Sequence, residues 1–395
     1  MTDLMTLLHR GVDTIYPSTE ALQEYIDSGK KLTLYLGVDP TGAQLHIGHT
    51  VALRKLAQFQ QAGHKVILLI GDFTGRIGDP TGKDKTRVPL TSEQIAANAE
   101  TYKQQAAKIL NFTDPTNPVE LRYNSTWLAK LTFADVIKLA SHFTVQQMLE
   151  RDMFERRLRE NKPISMHEFF YPLMQGYDSV AMDVDLEVGG TDQTFNMLAG
   201  RTLQKSINNR EKFVVTVPLL ADSHGVKIGK TEGNVIAITA PAEDLYGKVM
   251  ALGDDVIVQA FELCTNVSMS EVAEMQQAMQ GGANPKEFKM RLAREIVTLY
   301  HSAAAATTAE EQFNQVFRDK GRPDDMPKKA VPATTEALTV LVELELAKNK
   351  SAAKRLFEQG GVHVNDVTVR DWHTPFELKT GDVVQVGKRT FIELQ

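Results

Sequence analysis

Two segments carry side chains whose types and spacing could handle a nucleotide. The first is Asp39-Pro40-Thr41-Gly42 followed by His46-Ile47-Gly48-His49, set between a strand-like run and a helical pattern. A helix N-terminus presents unpaired backbone N–H groups and a partial positive charge, so it attracts anions before any side chain is counted. Imidazoles at i and i+3 add donors for phosphate oxygens, and Gly48 leaves room for a flat base or a ribose. The same spacing suits a metal-binding pair or a histidine-capped helix, and the residues alone leave these readings open. Metal ligation would need further ligands, which no obvious Cys or His cluster supplies. The second segment is Lys227-Ile228-Gly229-Lys230-Thr231, in a loop after a strand ending near Leu220. Two lysines three apart could clamp a triphosphate and neutralise charge on a leaving pyrophosphate; a solvated basic turn is the alternative. It is not a Walker A loop, because Gly225 stands too close to Gly229 and position 224 is His224. A third feature is Tyr171, Gln175 and Asp178, which share one face of a helical pattern at i, i+4 and i+7. Such a stripe lines a cavity needing a few oriented donors and acceptors, or belongs to an ordinary amphipathic helix.

The elements that must position these residues alternate. Strand-like runs at 31–38, 65–71, 119–123, 185–188 and 212–220 are separated by helical patterns at 49–62, 91–110, 133–161, 166–180 and 194–205. That alternation predicts an α/β domain with a parallel sheet, and ligands bind such sheets outside the carboxyl ends of the strands. From 242 to 317 the pattern is helical almost throughout, and a proline-rich charged segment follows at 321–332. Helices and then short strands occupy 335–394. The expected organisation is a Rossmann-like parallel-sheet domain over 1–238, an α-helical domain over 239–320, a linker over 321–335 and a small α+β module over 336–395.

Composition narrows the possibilities. The 395 residues hold 44 Lys+Arg, 50 Asp+Glu and a single cysteine, Cys264. One cysteine builds neither an intramolecular disulfide nor a thiolate zinc cage, which points to a reducing, cytoplasmic setting without zinc. The N-terminal segment lacks the apolar core of a secretory signal. Val66–Ile70 falls far short of the ~18 apolar residues that a membrane helix needs. The net charge of −6 argues against general nucleic-acid coating. Residues 346–395, however, carry 8 basic against 6 acidic side chains, including Lys354 and Arg355 on one helix. Local phosphate contacts there remain compatible with an acidic body. Arg156, Arg157 and Arg159 form a second basic stretch, but interleaved glutamates make a salt-bridged helix the better reading.

Taken as a pair, the histidine and lysine segments resemble the double signature of class I aminoacyl-tRNA synthetases. His46-Ile47-Gly48-His49 matches the HIGH motif letter for letter, and KIGKT is similar to the Lys-x-Gly-Lys-Thr form of KMSKS in bacterial tyrosyl-tRNA synthetases. The resemblance spans nearly the whole chain. It implies activation of L-tyrosine by ATP, with Mg2+ accompanying the nucleotide, then transfer to the 3′ end of tRNA(Tyr) by a homodimer without a membrane anchor. It implies catalytic roles for His46, His49, Lys227, Lys230 and Thr231, with ATP also met by Asp39, Gly48, Asp192, Leu219 and Leu220. Tyr35 and Asp178 would read the substrate phenol, while Asp79, Tyr171, Gln175 and Gln193 would hold its amino-acid end. The tail, with Lys354 and Arg355, resembles a ribosomal-protein-type RNA-binding module. Thr194 stands where many members have Trp. Tryptophanyl-tRNA synthetase is the nearest rival; a catalytically silent RNA-binding protein on the same scaffold and a nucleotidylyltransferase are the others.

Overall fold

A computed structural model describes residues 4–80, 91–222, 227–228, 235–317, 326–387 and 390–395. The chain divides into two compact units, Met1–Ala303 and Ala304–Gln395. The first is built on a six-stranded sheet: β1 (Thr14–Tyr16), β2 (Thr33–Val38), β3 (Lys65–Ile70), β4 (Glu120–Tyr123), β5 (Leu186–Gly190) and β6 (Phe213–Val217), in the order β1-β6-β5-β2-β3-β4. β2 to β6 run parallel, and β1 is added antiparallel along β6. Strands such as KVILLI in β3 are apolar along nearly their whole length and buried on both sides, as a sheet covered on both faces requires. The chain moves outward from β2 through β3 to β4, then returns to the other side of β2 for β5 and β6. The crevice between β2 and β5 is therefore the switch point of the sheet.

Four helices bear on that crevice: α1 (Ile47–Gln61), α2 (Ser92–Ala106), α3 (Met166–Met182) and α4 (Thr194–Asn208). α3 and α4 approach so closely that a Cβ on Gly176 would lie 3.1 Å from the Gly200 nitrogen. Helices at Ala242–Met250, Ile257–Cys264, Met269–Gln280 and Pro285–Tyr300 belong to the same compact unit as the sheet. Arg10 and Arg54 both donate to the Thr265 carbonyl, at 2.8 and 2.5 Å, and so tie the end of the Ile257–Cys264 helix to the N-terminal segment and α1.

The second unit contains a five-stranded sheet in the order β7 (Lys328–Lys329), β11 (Thr390–Leu394), β10 (Val383–Val386), β8 (Val362–Val364), β9 (Val367–Val369). Helices Ala337–Glu343 and Lys350–Glu358 cover it through a core that includes Leu341, Phe357, Val362 and Val384. Asn365 and Asp366, both at positive φ (47° and 68°), make the tight two-residue turn between β8 and β9.

The structure corrects the sequence reading in two places. The single long helix expected at 133–161 is three helices, Phe133–Ala140, Val145–Leu149 and Asp152–Arg159. Thr132 and Thr144 each start one of them with a capping box, closed by Asp135 and Gln147. β1 was not anticipated, since three residues offer no periodicity to read. Among the described residues no helix is long and apolar enough to cross a membrane.

At the amino ends of β2 and β3, away from the crevice, the buried His64 ring accepts the Leu32 N–H through Nδ1 at 3.2 Å. Burial, aided by the Lys31 charge, lowers its pKa to about 4. A histidine held neutral in the fold but titrating near 6.5 when unfolded stabilises the protein above 6.5, and that stability is lost as pH falls toward 4. Thermal unfolding between pH 6.5 and 4 should therefore show a midpoint that falls more steeply for the parent protein than for His64→Asn. Equal slopes would exclude His64 as the source.

Candidate active site

α1 starts at His46, which takes extended backbone angles and caps the helix: its Nδ1 accepts the Gly48 N–H at 3.2 Å. His49 closes the box, its Nδ1 accepting the His46 N–H at 3.2 Å, and the two rings stack with centroids 3.7 Å apart. With Nδ1 engaged as an acceptor, each neutral ring carries its proton on Nε2. Capping through Nδ1 therefore leaves the Nε2–H of each ring compatible with the donor role considered for these histidines.

The lysine segment is anchored to the same place. After β6 the Ile228 N–H donates to the Leu220 carbonyl at 2.8 Å, and on the far side of the loop Ile47 N–H donates to Ile236 O at 2.9 Å and Ile238 N–H to Leu45 O at 3.1 Å. A Cβ on Gly48 would lie 3.1 Å from the His46 ring and 3.4 Å from the Ile228 carbonyl, so only glycine leaves this junction unobstructed. Lys227 Nζ reaches Asp192 Oδ2 at 2.8 Å. Lys230 and Thr231 lie outside the described residues.

These residues open on one cavity of about 280 Å³ at the carboxyl ends of the strands. Its lining includes His46, Gly48, His49, Asp192, Leu219, Leu220 and Lys227, and also Tyr35, Tyr171, Gln175 and Asp178, with Asp39, Asp79 and Gln193 on the same wall. The described residues proposed from the sequence for nucleotide and amino acid are thus brought together, although they lie up to 192 positions apart in the chain. Lys354 and Arg355 are on the Lys350–Glu358 helix of the second unit, where Lys354 Nζ sits 5.0 Å from the Trp372 ring centroid.

The cavity wall carries a web of buried and half-buried polar groups. Asp39 accepts from Thr74 Oγ1 at 2.7 Å and from the Tyr171 hydroxyl at 2.8 Å. Asp178, almost fully enclosed, accepts from Trp127 Nε1 at 2.7 Å and Asn124 Nδ2 at 3.2 Å. Burial drives the Asp178 carboxyl well above the ordinary aspartate range; these two hydrogen bonds oppose the shift and the nearby Glu187 charge adds to it. Tyr35 is also raised well above the usual tyrosine range, first by burial and then by the charges of Glu187 and Asp178. Its hydroxyl lies 3.0 Å from Ser179 Oγ rather than on Asp178. Asp79 accepts from Gln193 Nε2 at 2.7 Å and faces buried Arg151 at 3.7 Å.

Thr74, Asn124, Trp127, Arg151, Ser179, Glu187 and Lys212 were not singled out from sequence. Asn124 follows the end of β4, and that position was the one available hint. Of the basic stretch at 156–159, Arg157 is buried against Glu168 at 2.5 Å and Arg159 pairs with Glu155, so both have structural partners.

The residues matching the family model for class I tRNA synthetases (W and Y) are 27–318, which takes in the whole cavity, and the chain belongs to that family. A relative from Moorella thermoacetica, named tyrosine–tRNA ligase, is 48% identical over 99% of this chain and 95% of its own length. A second, from Carboxydothermus hydrogenoformans and of the same name, is 46% identical over 99% and 97%. Among solved structures, a C-terminally truncated mitochondrial tyrosyl-tRNA synthetase of Aspergillus nidulans superposes with a TM-score of 0.67 at 25% identity, covering 80% of this chain and 94% of that one.

The tightest junction of the site is Gly71, directly after β3. A Cβ there would fall 2.0 Å from Asp39 Oδ1 and 2.4 Å from Thr74 Oγ1. Gly71→Ala should therefore displace Asp39 and cost about 1–3 kcal/mol in urea unfolding, the range for overpacking a filled interior. A parental urea midpoint would contradict this account.

Proposed function

We infer that the chain is a tyrosine–tRNA ligase, which joins L-tyrosine to ATP as tyrosyl-adenylate and then passes the tyrosyl group to the 3′-terminal adenosine of tRNA(Tyr). The observation that carries the reading is the lining of the cavity described above. Its wall carries phosphate-suited donors, His46, His49 and Lys227, together with a buried carboxyl, Asp178, and a buried phenol, Tyr35. The names of the relatives favour tyrosine over tryptophan.

In the first step the tyrosine carboxylate attacks the α-phosphorus of ATP, a P–O bond forms, and the bond to the β-phosphate breaks to release pyrophosphate. The substrate brings its own nucleophile, so the protein's contribution is positioning and charge stabilisation. His46 and His49 donate through Nε2–H to the phosphates. Lys227, Lys230 and Thr231 hold the departing pyrophosphate, Asp192 meets the ribose, and Leu219 and Leu220 flank the adenine beside Gly48 and Asp39. Magnesium accompanying ATP would supply counter-charge to its phosphates. Asp178 and Tyr35 hydrogen-bond the phenol. Asp79, Tyr171, Gln175 and Gln193 hold the α-amino end. A buried acceptor left unpaired by phenylalanine gives the selectivity its physical basis.

In the second step a hydroxyl of the terminal adenosine attacks the tyrosyl carbonyl and AMP leaves. Lys354 and Arg355, exposed on the second unit, suit contacts to tRNA phosphates. The lone, buried Cys264 suits a cytoplasmic enzyme. A homodimer is supported by an apolar surface that the single chain leaves uncovered: Phe133 is 80% exposed, Met166 70%, Val145 67% and Ile137 56%. Phe133 and Ile137 lie one turn apart on the same helix.

Pyrophosphate exchange into ATP, measured with each amino acid in turn, should respond to tyrosine, and Asp178→Ala should raise the KM for tyrosine at least tenfold while changing that for ATP little. Exchange with tryptophan alone would overturn the substrate assignment, and no exchange would favour a silent scaffold. For the assembly, Phe133→Glu with Ile137→Glu should sediment as a monomer at micromolar concentration where the parent sediments as a dimer; an unchanged dimer would mean another surface is used.

A further inference from the structure

Beneath the cavity, and not lining it, lies a lysine with no role in the scheme above. Lys212 immediately precedes β6 and is completely enclosed. Its ammonium is matched proton for acceptor: Ser179 Oγ at 2.7 Å, the Met197 carbonyl at 3.2 Å and a carboxylate oxygen of Glu187. The slot it occupies exists because α4 carries glycine at 200, where a Cβ would stand 2.5 Å from Lys212 Nζ and 2.8 Å from Ser179 Oγ. A charge buried this deeply persists only when paired and hydrogen-bonded.

Both side chains that hold the ammonium also touch a residue of the cavity wall. Glu187 stands beside Tyr35 in register, β5 against β2. Its second oxygen accepts Gln175 Nε2–H at 2.9 Å, which turns the amide so that the carbonyl is the atom left for a ligand. Ser179 Oγ, one lone pair taken by the lysine, lies 3.0 Å from the Tyr35 hydroxyl. We propose that Lys212 is a positioning residue for amino-acid recognition. Through Glu187 it presents the Gln175 carbonyl to the substrate ammonium, and through Ser179 it orients the Tyr35 hydroxyl toward the substrate phenol. One buried cation thereby sets hydrogen-bond polarity at both ends of the amino-acid subsite. The proposal rests on the tyrosine reading given above.

Lys212→Met keeps a similar length and removes the charge. In tyrosine-dependent pyrophosphate exchange it should raise the tyrosine KM at least tenfold, leave the ATP KM within about twofold, and reduce discrimination between tyrosine and phenylalanine. Glu187→Gln alone should also weaken tyrosine, because one amide oxygen cannot serve both Lys212 and Gln175. Combining Glu187→Gln with Lys212→Met removes both charges while keeping an acceptor for Gln175, and should recover part of the loss of either single variant. Ser179→Ala cuts the phenol branch, takes one acceptor from Lys212 and leaves the Lys212–Glu187–Gln175 link in place; it should lower the tyrosine–phenylalanine discrimination several-fold, and it carries the test if Lys212→Met does not fold. Unchanged tyrosine KM and discrimination in a folded variant, or equal rises in the tyrosine and ATP KM, would overturn the proposal. Lack of tyrosine-dependent exchange in the unaltered enzyme would instead overturn the tyrosine reading, and the proposal with it.

Discussion

Parallel pairing of β2 with β3 on one side and β5 on the other is the constraint on which the remaining architecture depends. Where consecutive crossovers leave a sheet in opposite directions, no connection covers the carboxyl ends of the two central strands, and a crevice opens there. The turns at those ends each give a residue to the cavity: Asp39 after β2, Gly71 after β3, Asn124 after β4, Asp192 after β5 and Leu219 after β6. The start of α1, where the Ile47, Gly48 and His49 N–H groups are already engaged, brings the His46 and His49 rings to the same crevice. Backbone pairing of Leu45–Ile47 with residues 236–238 then brings the histidine and lysine segments together across roughly half the chain.

A cavity built this way puts carboxylates among apolar walls, and each needs its own compensation. Asp39 draws on Thr74 and Tyr171, Asp178 on Trp127 and Asn124, Asp79 on Gln193 and Arg151, and Glu187 on Gln175 and Lys212. All four acceptors are supported from other elements, in part by residues assigned no ligand contact: Thr74, Trp127, Asn124, Arg151 and Lys212. Buried polar groups linked in this way hold one another in a single geometry, because a lost partner leaves a costly unpaired group. Close packing of α3 on α4 through Gly176 and Gly200 belongs to the same design, since only backbone-thin contacts leave room for a lysine side chain between helix and sheet.

How far each part could be read from the sequence follows the range of the physics that creates it. The five parallel strands and their helices were legible because apolar runs of strand length and helical periodicity are local. The boundary at 133–161 failed for a local reason as well: two threonine capping boxes were present but lay within a continuous amphipathic pattern. Division into compact units was another matter, for the helices after 242 share a unit with the sheet and the cut falls at Ala303. Motif letters identified His46, His49 and Lys227, yet not that His46 caps its own helix or that Lys227 pairs with Asp192.

Residue type, order and local periodicity were sufficient for the α/β class, for both signature segments and for the family resemblance, since each is carried by neighbours a few positions apart. Pairing of buried charges was not, because Lys212 meets Glu187 and Ser179 only after β5, β6 and α3 have packed, and no spacing rule relates a strand-leading lysine to a glycine in another helix. Whether a polar side chain is a ligand contact, a prop for one or a solvated surface group depends on what surrounds it in three dimensions. That environment is a property of the folded chain.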